Sequence, residues 1–172
     1  MQTAWPEPVE RVAAFLREAG GEARVEEFEE ETPTAEAAAR AAGCGVEQIV
    51  KSVVFVCEGS PVVVLVPGDR RADPRKVAAA LGAAAARVAG PADVERATGF
   101  APGAVAPFPL PRVQRVLAEQ TLLALPLVWV GAGSTRHLAA LNPRELVRLA
   151  RAEPVDVIQE STYHSSPDRR ER

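Results

Sequence analysis

One of the chain's two lysines stands where a charge is expensive. Of 20 basic residues, all but Lys51 and Lys76 are arginine. Lys51 interrupts the most apolar stretch, Ile49-Val50-Lys51-Ser52-Val53-Val54-Phe55-Val56. Desolvating an ammonium is costly, so Lys is rarely buried without a partner. Two readings stay open: a stem that packs on the core while its head reaches water, or a fixed cation aimed into a pocket. A cation in an apolar wall is poorly screened and can hold a phosphate or a developing oxyanion.

Three further segments could carry chemistry. Thr98-Gly99-Phe100-Ala101-Pro102-Gly103-Ala104-Val105-Ala106-Pro107-Phe108 is a shaped loop of small residues. Gly103 permits positive φ, which lets backbone N–H groups approach a ligand; an ordinary connection is the competing reading. Gly131-Ala132-Gly133-Ser134-Thr135-Arg136-His137 reads as a Gly-rich turn at a sheet end. It lacks the spacing of a dinucleotide site and the Lys of a phosphate-binding loop. Ser134 and His137 suggest a hydrolase pair, but no third orienting group is in sight and no GxSxG elbow exists. In Pro67-Gly68-Asp69-Arg70-Arg71-Ala72-Asp73 the arginines could meet phosphate, although pairing with Asp69 and Asp73 on the surface is the safer reading. No isolated carboxylate pair sits in an apolar setting. Cys44 and Cys57 form no CxxC or Cys/His cluster, which argues against zinc. Neither has a basic neighbour to activate it, which weakens a thiol mechanism.

The elements that must position these groups are a sheet and its helices. A length of 172 residues suits one domain, expected over 1–160, with a polar tail from Ser161 to Arg172. The net charge of -3 requires any nucleic-acid footprint to be local. Two scattered cysteines and no signal peptide favour the cytoplasm. The apolar stretch Leu122 to Val130 is too short for a bilayer and contains Pro126, so no membrane partner is expected. Helix starts are expected at Thr32-Pro33, Asp73-Pro74, Gly90-Pro91 and Asn142-Pro143, the last with a capping box to Glu145. Stops are expected at Gly43, Gly82 and Gly99, and a first amphipathic helix runs from about Pro8 to Gly20. Strands are expected at Arg24 to Phe28, Val50 to Val56, Val62 to Val66, Val113 to Leu117, Leu127 to Val130 and Leu138 to Leu141, with a hairpin at Cys57 to Pro61. The fold class is therefore α/β (α+β), a mixed sheet with helices packed on it.

The order of these pieces resembles the YbaK/EbsC-type proteins, freestanding relatives of the editing domain inserted in bacterial prolyl-tRNA synthetase. The matching stretches are Ile49 to Phe55, Gly68 to Arg71 with Asp73 to Lys76, Thr98 to Phe108, Gly131 to Gly133, and Leu141 to Pro143 with Leu146. They span roughly residues 22 to 158. The resemblance implies a largely antiparallel, curved sheet and hydrolysis of the ester joining a wrong amino acid to a tRNA 3′ end. It implies that Lys51 is needed for activity and meets the substrate near the terminal adenosine. It implies that Gly103, Ala104, Val105, Ala106 and Pro107 shape the aminoacyl pocket, that Gly131, Ala132, Gly133 and Ser134 line it, and that His137 bears on specificity. No metal or other cofactor is expected, and the adenosine's free hydroxyl would help activate water. The partners implied are a tRNA acceptor end with its amino acid, and a synthetase.

Positioning and charge stabilisation suit an already reactive ester, and a tight pocket would admit Ala, Cys or Ser by size. Glu119 stands near a position where relatives carry Asp. Competing readings are a non-catalytic tRNA- or synthetase-binding module of the same fold, and a thiol enzyme using Cys44 or Cys57. The sequence leaves the oligomeric state and the edited amino acid open.

Overall fold

In the computed structural model, residues 4–160 are described; the expected tail and His164 lie outside them. Five helices form where caps and apolar stripes coincide. Helix α1 (Glu7–Ala19) turns Val9, Val12, Ala13 and Leu16 inward. Helices α2 (Ala35–Ala42), α3 (Pro74–Leu81) and α4 (Pro91–Thr98) end at Gly43, Gly82 and Gly99, each left-handed. Helix α5 (Pro143–Ala150) starts at Asn142, whose Oδ1 accepts from Arg144 N at 2.9 Å.

Two expected caps are corrected. Helix α2 is capped by Thr34, not Thr32, because Thr34 Oγ1 accepts from Ala37 N while the Thr32 hydroxyl donates to the Thr135 carbonyl. The capping box at α5 does not form, because Glu145 pairs with Arg148 instead of reaching back to Asn142.

The strands are β1 (Val25–Glu27), β2 (Ile49–Cys57), β3 (Ser60–Pro67), β4 (Arg87–Val88), β5 (Arg115–Glu119), β6 (Val128–Ser134), β7 (His137–Leu141) and β8 (Ala152–Val155). They join in one mixed sheet ordered β1-β7-β6-β2-β3-β5-β8, with β4 beside β2. Four of its described pairings are antiparallel and three, β2–β6, β3–β5 and β5–β8, are parallel. The β2–β3 hairpin closes on Glu58-Gly59, both at positive φ, as a two-residue turn matched to strand twist requires.

Strand β3 alternates between two cores. Val63 and Leu65 face a large cluster with Val12, Leu16, Val94 and Leu146. Val62, Val64 and Val66 face a second cluster with Val77. Helices α1, α4 and α5 thus cover one face, and α3 the other. The unbroken apolar run in β3 is explained by burial on both sides. Among the described residues no helix is long and apolar enough to cross a membrane.

Candidate functional site

The site begins with a fork in the sheet. Strand β2 pairs with β3 from Val50 to Cys57, but its other edge is shared. Pairing with β6 ends at Val50↔Val130, and pairing with β4 starts only at Phe55↔Val88. Between them Lys51, Ser52, Val53 and Val54 face a hollow of about 430 Å³. That volume lies in the usual range for small-ligand sites.

Lys51 is half-buried, and its Nζ donates to the Arg70 carbonyl at 2.7 Å. This anchors the stem while leaving two of the three ammonium hydrogens for other acceptors. Burial pushes its pKa below the ordinary lysine value and Arg71 adds to that, while Glu36 and Asp69 oppose it. Glu36 is on α2, Asp69 and Arg71 on the turn after β3. Lys51 thus lines the hollow while its head is held by a backbone acceptor. The expected surface pairing of Arg70 and Arg71 with Asp69 and Asp73 is not among the ion pairs of the described residues. Arg70 reaches the Gln159 carbonyl, and Asp73 caps α3.

The second wall is the turn Ala101-Pro102-Gly103-Ala104, closed by Ala104 N to Ala101 O at 3.0 Å. Proline at its second position and glycine at φ 82° in its third specify a type II turn. Pro102, Gly103, Ala104 and Val105 line the hollow. Ala106 and Pro107 do not: Ala106 is fully buried in the main core, and Pro107 lines a separate groove with Phe15 and Phe108. The core-facing residues anchor the turn that the others present.

Gly131 to Gly133 is strand, not the expected turn. The hairpin turn is Thr135-Arg136, and β6 carries a bulge between Gly131 and Ser134. Two extra residues re-aim the strand there. Gly131 and Ser134 line the hollow, whereas Ala132 is buried in the core and Gly133 abuts α1. A Cβ on Gly133, at φ 101°, would stand 2.8 Å from the Pro8 backbone; one on Gly131 would stand 3.1 Å from the Val105 carbonyl oxygen. A side chain at 131 would press on the Val105 carbonyl of the second wall.

His137 is only 4% exposed and does not line the hollow. It lies directly behind it, with Nδ1 2.5 Å from Ser134 Oγ. Sequence reasoning missed Glu27, the register partner of His137 on β1, whose Oε2 lies 3.5 Å from His137 Nε2. It also missed Thr34 and Ala35 of the α2 entrance and Val88 and Ala89 near β4, which complete the walls. Glu119 is buried away from the hollow and accepts from Thr121 N, Thr121 Oγ1 and Val157 N. Cys57 donates to the Ala85 carbonyl, and burial, with Glu47, pushes the Cys44 thiol up. Neither lines the hollow, and a raised thiol is a poor nucleophile. Among the described residues no three His, Cys, Asp or Glu side chains gather as metal ligands.

The model of the aminoacyl-tRNA editing domain matches residues 29–149, which includes both walls of the hollow and Lys51. The chain belongs to the aminoacyl-tRNA editing domain family. YwhH of Bacillus subtilis (strain 168), an uncharacterized protein, is 34% identical over 123 residues, covering 71% of this chain and 78% of that protein. Proline–tRNA ligase of Xanthomonas oryzae pv. oryzae is 33% identical over 138 residues, 78% of this chain but 24% of the ligase. A solved structure of a proposed trans-editing enzyme for prolyl tRNA synthetase superposes with TM-score 0.84 at 36% identity, covering 91% of this chain and 99% of that chain.

Proposed function

We propose that the chain is a trans-acting aminoacyl-tRNA deacylase that removes a small amino acid, of the Ala, Cys or Ser class, from a mischarged tRNA. The observation that carries this reading is that Lys51, the Pro102–Val105 turn and Gly131 line one hollow. Water adds to the ester carbonyl, negative charge develops on its oxygen, and the bond to the ribose oxygen breaks. That oxygen leaves with a proton, giving free amino acid and tRNA.

Lys51 is the catalytic cation that counters negative charge at the acceptor end. The turn supplies backbone close enough to orient the ester, because Gly103 and Ala104 have no bulk to keep it away. Val54, Val94 and Val105 limit side-chain size. The reaction uses no metal ion and no protein nucleophile; the adenosine's free hydroxyl helps position the water. A net charge of -3 is compatible with gripping only the acceptor end, where a few arginines suffice. A synthetase is the natural second partner.

The test is release of amino acid from tRNAs charged with Ala, Cys, Ser and Thr, comparing the protein with Lys51→Ala. Release from at least one small-residue tRNA, lost in the variant, supports the reading. Retention of tRNA with no release across the panel would make the chain a binding module instead.

A further inference from the structure

Three groups from three strands form a line that starts in the wall of the hollow at Ser134 and runs behind it through His137 to Glu27. Glu27 and His137 are directly paired across β1 and β7, and Ser134 and His137 flank the β6–β7 turn. Ser134 Oγ accepts from Arg136 N at 3.0 Å and shares a proton with His137 Nδ1 at 2.5 Å. Trp5 donates to Glu27 Oε2 at 2.8 Å and sets its ring edge-on to His137, with centroids 5.3 Å apart. His137 Nε2 is buried without a hydrogen bond of ordinary geometry, and the Glu27 carboxylate lies 3.5 Å from it.

The proton positions follow from these contacts. A bare Nε2 lone pair facing a carboxylate is repelled, whereas an Nε2–H is attracted. Neutral His137 therefore carries its proton on Nε2, which leaves Nδ1 as an acceptor. Burial, aided by Arg136 and opposed by Glu27, holds the ring pKa below the ordinary histidine value, consistent with the neutral form. The Ser134 O–H must then point at Nδ1, away from the hollow. One Oγ lone pair takes the Arg136 N–H. What Ser134 presents to the hollow is the remaining lone pair.

We propose that Glu27, acting through the His137 tautomer, fixes Ser134 as a hydrogen-bond acceptor in the wall of the hollow, and that this acceptor takes the α-ammonium of the aminoacyl group. The inference rests on the deacylase reading for its ligand, but the relay itself does not. The hollow already holds one cation in Lys51, so a second positive group entering it needs a dedicated acceptor. Ser134 touches the ligand; His137 and Glu27 are positioning residues.

The test uses two non-hydrolysable probes, 3′-alanylamino-3′-deoxyadenosine and its 3′-propionylamino analogue, which differ only in the α-amine. Titration calorimetry on the whole protein is expected to show preference for the alanyl probe by about tenfold or more, as for a hydrogen bond to a charged group. Ser134→Ala and Glu27→Ala should bring that ratio near one. Nitrogen-15 shifts of the imidazole should report the Nε2–H tautomer in the protein and a gain of Nδ1–H in Glu27→Ala. Equal binding of the two probes by the unaltered protein overturns the ammonium assignment alone. An unchanged tautomer, or an unchanged ratio in Glu27→Ala, overturns the relay. Binding of neither probe overturns this assignment and the deacylase site together.

Discussion

Replacing Lys51 with methionine isolates the charge from the packing. The two stems are similar in length, so the apolar contacts along β2 survive and no cavity opens. What is lost is one cation and one hydrogen bond to the Arg70 carbonyl. A charged hydrogen bond contributes about 1.5–3 kcal/mol. Against it stands the cost of partly burying the ammonium, which is the leading cause of the lowered pKa. The two oppose each other, and the net change in stability should be under about 1.5 kcal/mol. At about 2–4 °C per kcal/mol for a chain of this size, that is a melting shift below about 6 °C. Deacylation should fall by about 10²–10³ in kcat, the usual effect of removing one preorganised charge stabiliser. Rates on mischarged tRNA and a thermal melt of the same preparation measure both. The pH profile adds a signature: the ammonium deprotonates at lower pH than an ordinary lysine, whose value is 10.5. Activity should therefore fade early on the alkaline side, a limb absent from the residual activity of the variant. A folded Lys51→Met protein with undiminished turnover would refute the catalytic assignment; a collapse in melting temperature would recast Lys51 as structural.

Glycines two residues apart should separate function from stability. Gly131→Ala pushes on the Val105 carbonyl and should cost about tenfold in kcat/KM with a near-normal melt, whereas Gly133→Ala, at φ 101° against the Pro8 backbone, should cost about 2–4 kcal/mol in urea unfolding. Glu119→Ala strands the Thr121 and Val157 N–H groups and should cost about 2–4 kcal/mol by the same measurement, with kcat unchanged below the melt. The lowered His137 pKa means that the unfolded chain binds its proton first as pH falls. Its contribution to stability is therefore full above 6.5 and lost as pH drops through the lower folded value; His137→Asn should flatten that limb in denaturant titrations from pH 7 to 5.

The parts of the fold legible in the sequence are those set by local chemistry. Left-handed glycines stop α2, α3 and α4, and prolines begin α3, α4 and α5 at the expected positions. Strand β3 announced itself because burial on both faces forbids polar residues. Strands β4 and β8 went unseen: Arg87-Val88 and Ala152-Glu153-Pro154-Val155 are short and carry no alternation, so only their neighbours make them strands. The small residues of Gly131 to Gly133 imitate a turn because a bulge absorbs two residues inside a strand, which no local pattern distinguishes. Lys51, Gly103 and Gly131 were visible as candidates through their types. Glu27 was not, because its partnership with His137 is created by strand pairing between distant segments.

The fork in the β2 edge accounts for the placing of these residues around one hollow. Val50 and Val56 face Pro61 and Pro67 of β3 in the order Val56↔Pro61 and Val50↔Pro67, and proline nitrogens cannot donate. In an antiparallel ladder the bonded and non-bonded pairs alternate, so Lys51 and Val53 direct their backbone to β3 while Val50, Ser52 and Val54 direct theirs to the opposite edge. There Val50 pairs with β6, and the Val54 carbonyl accepts from Ala89 N. Ser52 falls between the two, with no strand partner in register. A strand edge of this kind would ordinarily invite another chain; here the type II turn and the bulged β6 roof it over with residues too small to fill it. The same alternation sends the Lys51 side chain off one face and the Ser52 backbone into the gap. Lys51 and Ser52 thereby line one hollow from adjacent positions of a rigid strand. Positioning of this quality comes from the ladder, not from a loop, which is why a two-residue shift in β6, rather than any change in β2, is enough to open the space beside it.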